Sequence, residues 1–378
     1  MKVKKVMTFK SGKFAFSHNY SESEIAPLEI EFRLLYDALK ELPLLPGQAH
    51  AFEIELTRRS IYSTAAIEGN PLQEREVAGI IDSASEEDLL EIKKREIFNL
   101  KKAYDKIAAI NGESGFVLSE SFIKEIHKIV TNTLNYDSCI PGSYRNHIVK
   151  VGDKRHGGVG TPPKCLKDIQ NLMAEYIEWL NSDSIRSLPP VIRAAMGHYY
   201  LALIHPFADG NGRTARLVEA AILMEAGIKY LPIMLSNYYY KEIDEYFISI
   251  SLSKKSKTND ITPFIKFVLQ GAIYSLNEVK KFVTAAIRLS ALQNYFMDLR
   301  NNKVISKRQL ELLNLLLESP ENTTVTIKGV QRELPFRTLY AQVSDRTARR
   351  DLMKLHELKL LKASKNGYTI DRRILNAL

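Results

Sequence analysis

One stretch limits the architecture more than any other. Pro189-Pro190 stops the chain, Pro190 or Val191 can begin a helix, and Val191–Ile204 (VIRAAMGHYYLALI) then runs mostly apolar. A helix that is apolar on all sides is buried, either in a bilayer or inside a protein. This one is too short to span a bilayer, and no run of about 18 apolar residues exists in the sequence. We therefore expect a central helix with a mainly α fold packed around it.

The surrounding periodicity agrees. Ile30–Lys40 and Glu53–Ile67 place apolar residues three and four apart. Glu86–Ile110 reads as one long amphipathic helix, ended by Asn111-Gly112 and Gly115. Ser119 or Ser121 can cap the next helix, which runs through Ile123, Ile126 and Val130. Leu166–Leu180, Thr214–Ala226 and three stretches between Asn237 and Arg300 complete the helical set. Pro141–Pro163 (PGSYRNHIVKVGDKRHGGVGTPP) is the exception, with five glycines and three prolines. His147–Val151 alternates like a short strand, and Val159–Thr161 can pair with it, giving a β-hairpin among helices.

Length and composition narrow the class. The 378 residues suggest two or three domains. With 45% apolar and 26% charged residues, a wholly disordered or collagenous chain is excluded. Two cysteines, Cys139 and Cys165, cannot build a disulfide framework or a four-cysteine zinc site. The basic start, Met1–Ser11, is not followed by the apolar stretch of a signal peptide. A cytoplasmic protein with no membrane partner is expected. The net charge is +9, and +7 of it lies in the last 78 residues. Such a local excess fits an anionic partner such as DNA as well as it fits a solvated basic face.

The segment His205–Arg216 (HPFADGNGRTAR) joins the central helix to the next one. Gly210, Asn211 and Gly212 tolerate a backbone that turns its N–H groups inward, and a nest of N–H groups at a helix start binds anions. Arg213 and Arg216 lie three apart on the first turn, and two guanidinium forks beside a nest suit a polyphosphate. Asp209 is placed to hold Mg²⁺ against phosphates, and His205 is the group able to take a proton near neutral pH. Each piece alone has a plainer reading: a turn, a packed histidine, solvated arginines. The ordered conjunction of twelve residues favours a nucleotide site.

This segment resembles the core motif of the Fic family, HxFx[DE]GNGRxxR, at every fixed position. The resemblance covers about Leu28–Ser275 and includes the preceding helix. It implies a Fic helical bundle with a β-hairpin flap, whose Gly158, Val159 and Gly160 lie beside the nucleotide and clamp the target backbone. It also implies transfer of AMP from ATP to a Tyr, Ser or Thr hydroxyl of a target protein, and of the enzyme itself. His205 would then be the base and Asp209 the Mg²⁺ ligand. Gly210, Asn211 and Gly212 would form the anion hole, with Thr214 and Ala215 in the same turn, and Arg213 and Arg216 would grip the outer phosphates. Tyr246 and Phe247 stand where the family has a Glu-Tyr-Tyr segment near the adenine, with Phe replacing the second Tyr. Thr64–Gly69 (TAAIEG) fits the family's inhibitory pattern [ST]xxxE[GN], so Glu68 would pair with Arg216 and leave ATP in an unproductive pose. AMP removal, or another nucleotide or phosphate, stays open within the enzyme class.

The basic tail reads as three helices and a strand pair around Asn366-Gly367. Ser344 caps Asp345–Leu355, and Val325–Tyr340 would carry the first helix of a helix-turn-helix. The tail resembles a winged helix-turn-helix domain, with Arg346, Thr347, Arg349 and Arg350 on the candidate recognition helix. Such domains contact DNA or protein. The expected organisation is 1–112, an N-terminal helical region with the inhibitory helix; 113–275, the Fic core; 276–300, a helical linker; and 301–378, the winged domain. Expected partners are ATP, a hydroxyl-bearing target protein, candidate DNA through 301–378, and a candidate second copy of the chain. The alternative from another class is a DNA-binding transcriptional regulator that uses the Fic domain as a nucleotide sensor.

Overall fold

A computed structural model describes residues 3–83, 91–110, 115–134, 138–320, 323–372 and 374. The chain divides into two compact units, Met1–Lys280 and Lys281–Leu378. The first begins with an antiparallel hairpin, β1 (Val3–Met7) and β2 (Lys13–Ser17). Helices α1 (Glu22–Lys40), α2 (Pro46–Ile67), α3 (Glu74–Ser83), α4 (Ile92–Ala108) and α5 (Glu120–Val130) follow. After the flap come α6 (Leu166–Leu180), the short α7 (Asp183–Arg186), α8 (Pro190–Ile204), α9 (Asn211–Glu225), α10 (Leu235–Lys241) and α11 (Ile243–Lys255). Helix α12 (Thr262–Asn301) carries the chain from one unit into the other.

Helix α8 is the expected central helix. Every residue from Val191 to Leu201 is buried, and it packs directly against α9 and α6. Ser119 caps α5, its hydroxyl accepting from the Phe122 N–H at 3.2 Å. The described part of the long charged helix is α4, shorter at both ends than Glu86–Ile110; residues 84–90 and 111–114 lie outside the described set. The sequence reading had no strands at the N-terminus. The hairpin forms there because Phe14 and Phe16 face inward onto an aromatic cluster, with Phe16 stacked on Trp179 at 5.5 Å. The Tyr200 hydroxyl fixes it to α8, accepting from the Ser17 N–H at 2.7 Å and donating to the Ser17 carbonyl at 3.0 Å. The hairpin turn is held by Asp168 of α6, whose carboxylate accepts from the N–H groups of Phe9 and Ser11.

The flap is more open than a two-stranded pairing of His147–Val151 with Val159–Thr161. Only Val151 and Gly160 pair, through reciprocal N–H···O bonds of 2.9 and 2.8 Å. The glycines at 152, 157 and 158 take positive φ, which bends both arms away from a regular ladder.

The second unit has α13 (Lys307–Glu318), α14 (Gly329–Arg332), α15 (Arg337–Tyr340), α16 (Asp345–Glu357) and the hairpin β3 (Leu361–Ser364) with β4 (Gly367–Ile370). A single helix over Val325–Tyr340 is not formed. Pro335 has no N–H to donate and breaks the stretch into α14 and α15. Val325 instead bridges Tyr368, adding a third chain segment beside the hairpin. Asp351 ties α16 to α13, accepting from Arg308 Nε at 2.9 Å and Gln309 Nε2 at 3.2 Å.

Candidate active site

The site is built where α8 ends and α9 begins. His205 caps α8 in the left-handed conformation, with φ 49°, so the chain turns away sharply after Ile204. Gly210 is also left-handed, with φ 74°, and lets α9 start at Asn211, three residues before the expected Thr214. The early start puts Asn211, Gly212 and Arg213 in the first turn, whose N–H groups have no acceptor within the helix. The Asn211 side chain closes the loop on itself. Its Oδ1 accepts from the Phe207 N–H and its Nδ2 donates to the Phe207 carbonyl, both at 2.9 Å.

Two residues that the sequence reading missed brace this loop. His127 of α5 stacks on Phe207 with rings 3.7 Å apart and 4° from parallel. Its Nδ1 accepts from the Gly142 N–H at 2.9 Å, so Nε2 carries the proton and donates to the Asp209 carbonyl at 3.0 Å. Burial is the main cause that lowers its pKa to about 4, which keeps the ring neutral. Arg145 is the second brace. Its guanidinium donates to the carbonyls of His205 at 2.8 Å, His147 at 2.7 Å and Pro163 at 2.8 Å. One buried side chain thus holds the candidate base and both arms of the flap. The one available signal was an Arg at the foot of a Gly/Pro-rich stretch; for His127 it was a histidine on the apolar face of α5.

A cavity of about 370 Å³ opens over this turn. It is lined by Glu68, Gly158, His205, Gly212, Arg216, Tyr246 and Phe247, among others. Of the expected residues these seven come together. Asp209, Gly210, Asn211 and Arg213 do not line it, the Asp209 side chain being 41% exposed, and Thr214 and Ala215 are fully buried inside α9. Val159 is 55% exposed at the flap, and Gly160 forms the single flap bridge with Val151. Burial first, then the Arg145 charge, lowers the His205 pKa to about 4, so this imidazole is a free base at neutral pH.

The two arginines of the first turn have different partners. Arg216 donates to Glu68 Oε1 at 2.7 Å and to the Thr64 carbonyl at 3.2 Å. Burial acts to raise the Glu68 pKa, but the Arg216 and Arg213 charges and the Arg216 hydrogen bond bring it below the ordinary carboxylate value. The Glu68 carboxylate rests on Gly212, where a Cβ would collide with it. Thr64 is buried; its hydroxyl lies 3.3 Å from the Tyr104 hydroxyl, and its backbone rather than its side chain meets Arg216. Arg213 turns the other way, into a buried ion pair with Glu96 of α4, and reaches Asp209 Oδ1 at 3.2 Å. Beside Arg216, His198 links Glu219 at 3.1 Å to the Tyr246 hydroxyl at 2.9 Å, a buried polar chain behind the cavity.

Asp209 Oδ1 accepts from the Gly210 N–H and from Arg213, while Oδ2 accepts no hydrogen bond among the described residues. One carboxylate oxygen left without a hydrogen bond on a partly exposed side chain fits Mg²⁺, which is held largely by phosphates and water. Among the described residues no group of three His, Cys, Asp or Glu forms an all-protein metal cage.

Comparison with known proteins agrees with this geometry. Residues 117–223 match the Fic/DOC family. The chain is 31% identical over 234 residues to a protein adenylyltransferase Fic from Culex quinquefasciatus, covering 61% of this chain and 43% of that one. It is 32% identical over 217 residues to the Aedes aegypti protein of the same description, covering 57% and 40%. The chain thus spans less than half the length of these curated relatives. Its fold is similar to a Fic family protein from Desulfovibrio desulfuricans G20, with a TM-score of 0.57, 19% identity, and coverage of 92% of this chain and 96% of that one. It is also similar to residues 134–508 of Fic-1 from C. elegans, with a TM-score of 0.54, 23% identity, and coverage of 70% and 73%. The chain carries a Fic domain of the Fic/DOC family.

Proposed function

We propose that this protein transfers AMP from ATP to a hydroxyl side chain of a target protein and of itself, and that Glu68 holds the reaction in check. The observation that carries this reading is one cavity lined by a neutral His205, the open first turn of α9 at Gly212, and Arg216 gripped by Glu68. The relatives' name, protein adenylyltransferase Fic, supports the same chemistry.

The residues divide the work as follows. His205 takes the proton of the attacking hydroxyl, whose oxygen bonds the α-phosphorus while the bond to the β-phosphate oxygen breaks and pyrophosphate leaves. The N–H groups of the α9 first turn stabilise the charge that develops on the phosphate oxygens. Arg216 is the fork for the γ-phosphate, and Glu68 occupies that fork in the resting protein. Tyr246 and Phe247 form the side of the cavity assigned to the adenine. Arg213, fixed by Glu96, orients Asp209. Mg²⁺ on Asp209, when bound, neutralises phosphate charge during transfer.

The exposed Arg346, Arg349 and Arg350 of α16 support a further proposal, an anionic partner for the C-terminal unit, read as a winged helix that binds DNA. A cytoplasmic setting belongs to the same reading, since Cys139 and Cys165 are both free. Among the described residues no helix is long and apolar enough to cross a membrane.

The test is label transfer from α-labelled ATP with the wild type and Glu68→Gly. Label on the variant itself, absent from His205→Ala in the same background, is the expected result. No label from α-labelled ATP on any protein, with ATP bound, would reject AMP transfer. Gel shift with genomic fragments, on the whole chain and on a chain ending after Arg300, tests the DNA proposal. Equal DNA binding by both would reject it.

A further inference from the structure

A second cavity of about 290 Å³ lies on the other side of the flap's C-terminal arm. It shares Pro162, Leu203 and Lys254 with the nucleotide cavity, so the two are neighbours along one surface. Phe14 of the N-terminal hairpin and Tyr199, Tyr200 and Leu203 of α8 give it an apolar part, beside the polar Ser11, Ser253, Ser256 and Asn259. Lys13, Lys164 and Lys254 line it from three different elements, and all three side chains are exposed. Among the described residues none of these lysines forms an ion pair, and no carboxylate lines the cavity. Two carboxylates adjoin lining residues: Asp168 is buried and engaged by the hairpin turn through Phe9, Lys10 and Ser11, and Asp260, between Asn259 and Ile261, accepts from the Thr262 N–H and hydroxyl.

The AMP-transfer reading demands that a target segment reach His205 past the flap. We infer that this lysine-rimmed cavity is a subsite for that segment, taking a Glu or Asp side chain close to the modified hydroxyl. Three unpaired ammonium groups around a partly apolar lining suit a side chain with a short apolar stem and an anionic head. Like charges around one cavity repel one another, and an incoming carboxylate relieves that repulsion. The geometry sets the spacing. Tyr199 and His205 are six residues apart on and at the end of α8, on the order of 9 Å along its axis. An extended peptide covers that distance in about three residues. Leu203, only two residues before His205, lines the cavity as well, so the acidic residue lies within about three positions of the modified Tyr, Ser or Thr.

This inference rests on the proposed function, and its experiment separates the two. The probe is a fluorescent peptide with one Tyr and Glu about three positions to either side, compared with a Gln counterpart. Binding to the full-length Glu68→Gly protein is read by fluorescence anisotropy, which needs no transfer. Transfer to the same peptides is read with α-labelled ATP as kcat/KM. The Glu peptide should bind at least about tenfold more tightly than the Gln peptide at low ionic strength. The preference should shrink as salt is added. In a Lys13→Glu/Lys164→Glu variant both the binding and the kcat/KM ratios should fall to within about twofold of unity. Lys254 is left intact because it also borders the nucleotide cavity. Equal binding of the two peptides, or a preference that survives in the double variant, overturns the subsite. A binding preference that disappears in the variant, with no AMP transferred to any peptide or to the protein itself, upholds the subsite and rejects the reaction.

Discussion

Arg213 and Arg216 stand one turn apart on the same helix, and each meets a glutamate, yet the two regions around them differ in kind. Glu96 sits in the body of α4, 2% exposed, and is also held by Asn70 Nδ2 at 2.9 Å. Glu68 is the C-cap of α2, is a quarter exposed, and faces a cavity. A buried pair surrounded by protein can be broken only by leaving a charge stranded. A pair at the edge of a cavity can be replaced by another anion that enters the cavity. The same chemical bond is thus architecture in one place and, under the proposed function, a latch in the other. Enclosure, not the pair itself, makes the difference.

The sharpest way to break this comparison is at the chemistry that only the open side carries. In a Glu68→Gly background, His205→Ala should lower the rate of transfer by about 10²–10⁴-fold and leave ATP affinity within about twofold. Single-turnover transfer and equilibrium nucleotide binding measure the two quantities. A rate equal to the parent would remove His205 from the mechanism.

The next largest effect belongs to the closed side. Glu96→Ala leaves the buried Arg213 with the longer Asp209 contact at 3.2 Å in place of its main carboxylate, and should cost up to about 3 kcal/mol of stability. Urea unfolding monitored on the first unit would show it. Glu68→Gly should cost less in the same assay, because Glu68 is a quarter exposed at a cavity where water can take its place beside the buried Arg216. Similar losses for both would show that the two pairs are alike.

Glu68→Gly should instead raise self-modification by at least about tenfold, or about 1.4 kcal/mol. Arg216→Ala should not reproduce that rise, since it also removes the fork that the γ-phosphate needs. A faster Arg216→Ala protein would mean that the arginine only serves the inhibited state.

The smallest effect concerns pH. The Glu68 pKa is lowered in the folded protein, so the stability of its pair is fully present above the ordinary value of 4.5 and is lost only as pH falls through the lower folded value. The activity ratio of Glu68→Gly to wild type should therefore be flat at every pH above 4.5. The rate of the variant should also pass through 6.5 without a break, because its base titrates near 4. A break near 6.5 would show a base in ordinary contact with water.

The legible parts of the sequence were those written in consecutive residues. The apolar run of α8 and the loop His205–Arg216 needed no knowledge of distant partners, and Glu68 lay within a short pattern. The first turn of α9 was read as starting too late because Gly210's role as a left-handed cap depends on backbone angles. Arg213 was read with Arg216, since their spacing is equivalent on a helix, and nothing local shows that Glu96 lies 117 residues away in sequence but in contact. Arg145 and His127 act on backbone carbonyls, which carry no sequence signature. The N-terminal hairpin was missed because its strands are short and its apolar residues matter only against Trp179 and Tyr200.

Under the proposed function, Gly212 sets the direction from which this protein can be switched on. Its missing side chain is the space in which the Glu68 carboxylate rests. A phosphate oxygen approaching the first turn of α9 would need that same space. Any residue larger than glycine there would evict the inhibitor and obstruct the nucleotide in one stroke. Permanent activation therefore has no route through α9 and must come through α2, by losing the carboxylate or by drawing the helix end aside. A ligand that loosens α2 could act as an agonist, whereas a ligand wedged against Gly212 could only be an antagonist.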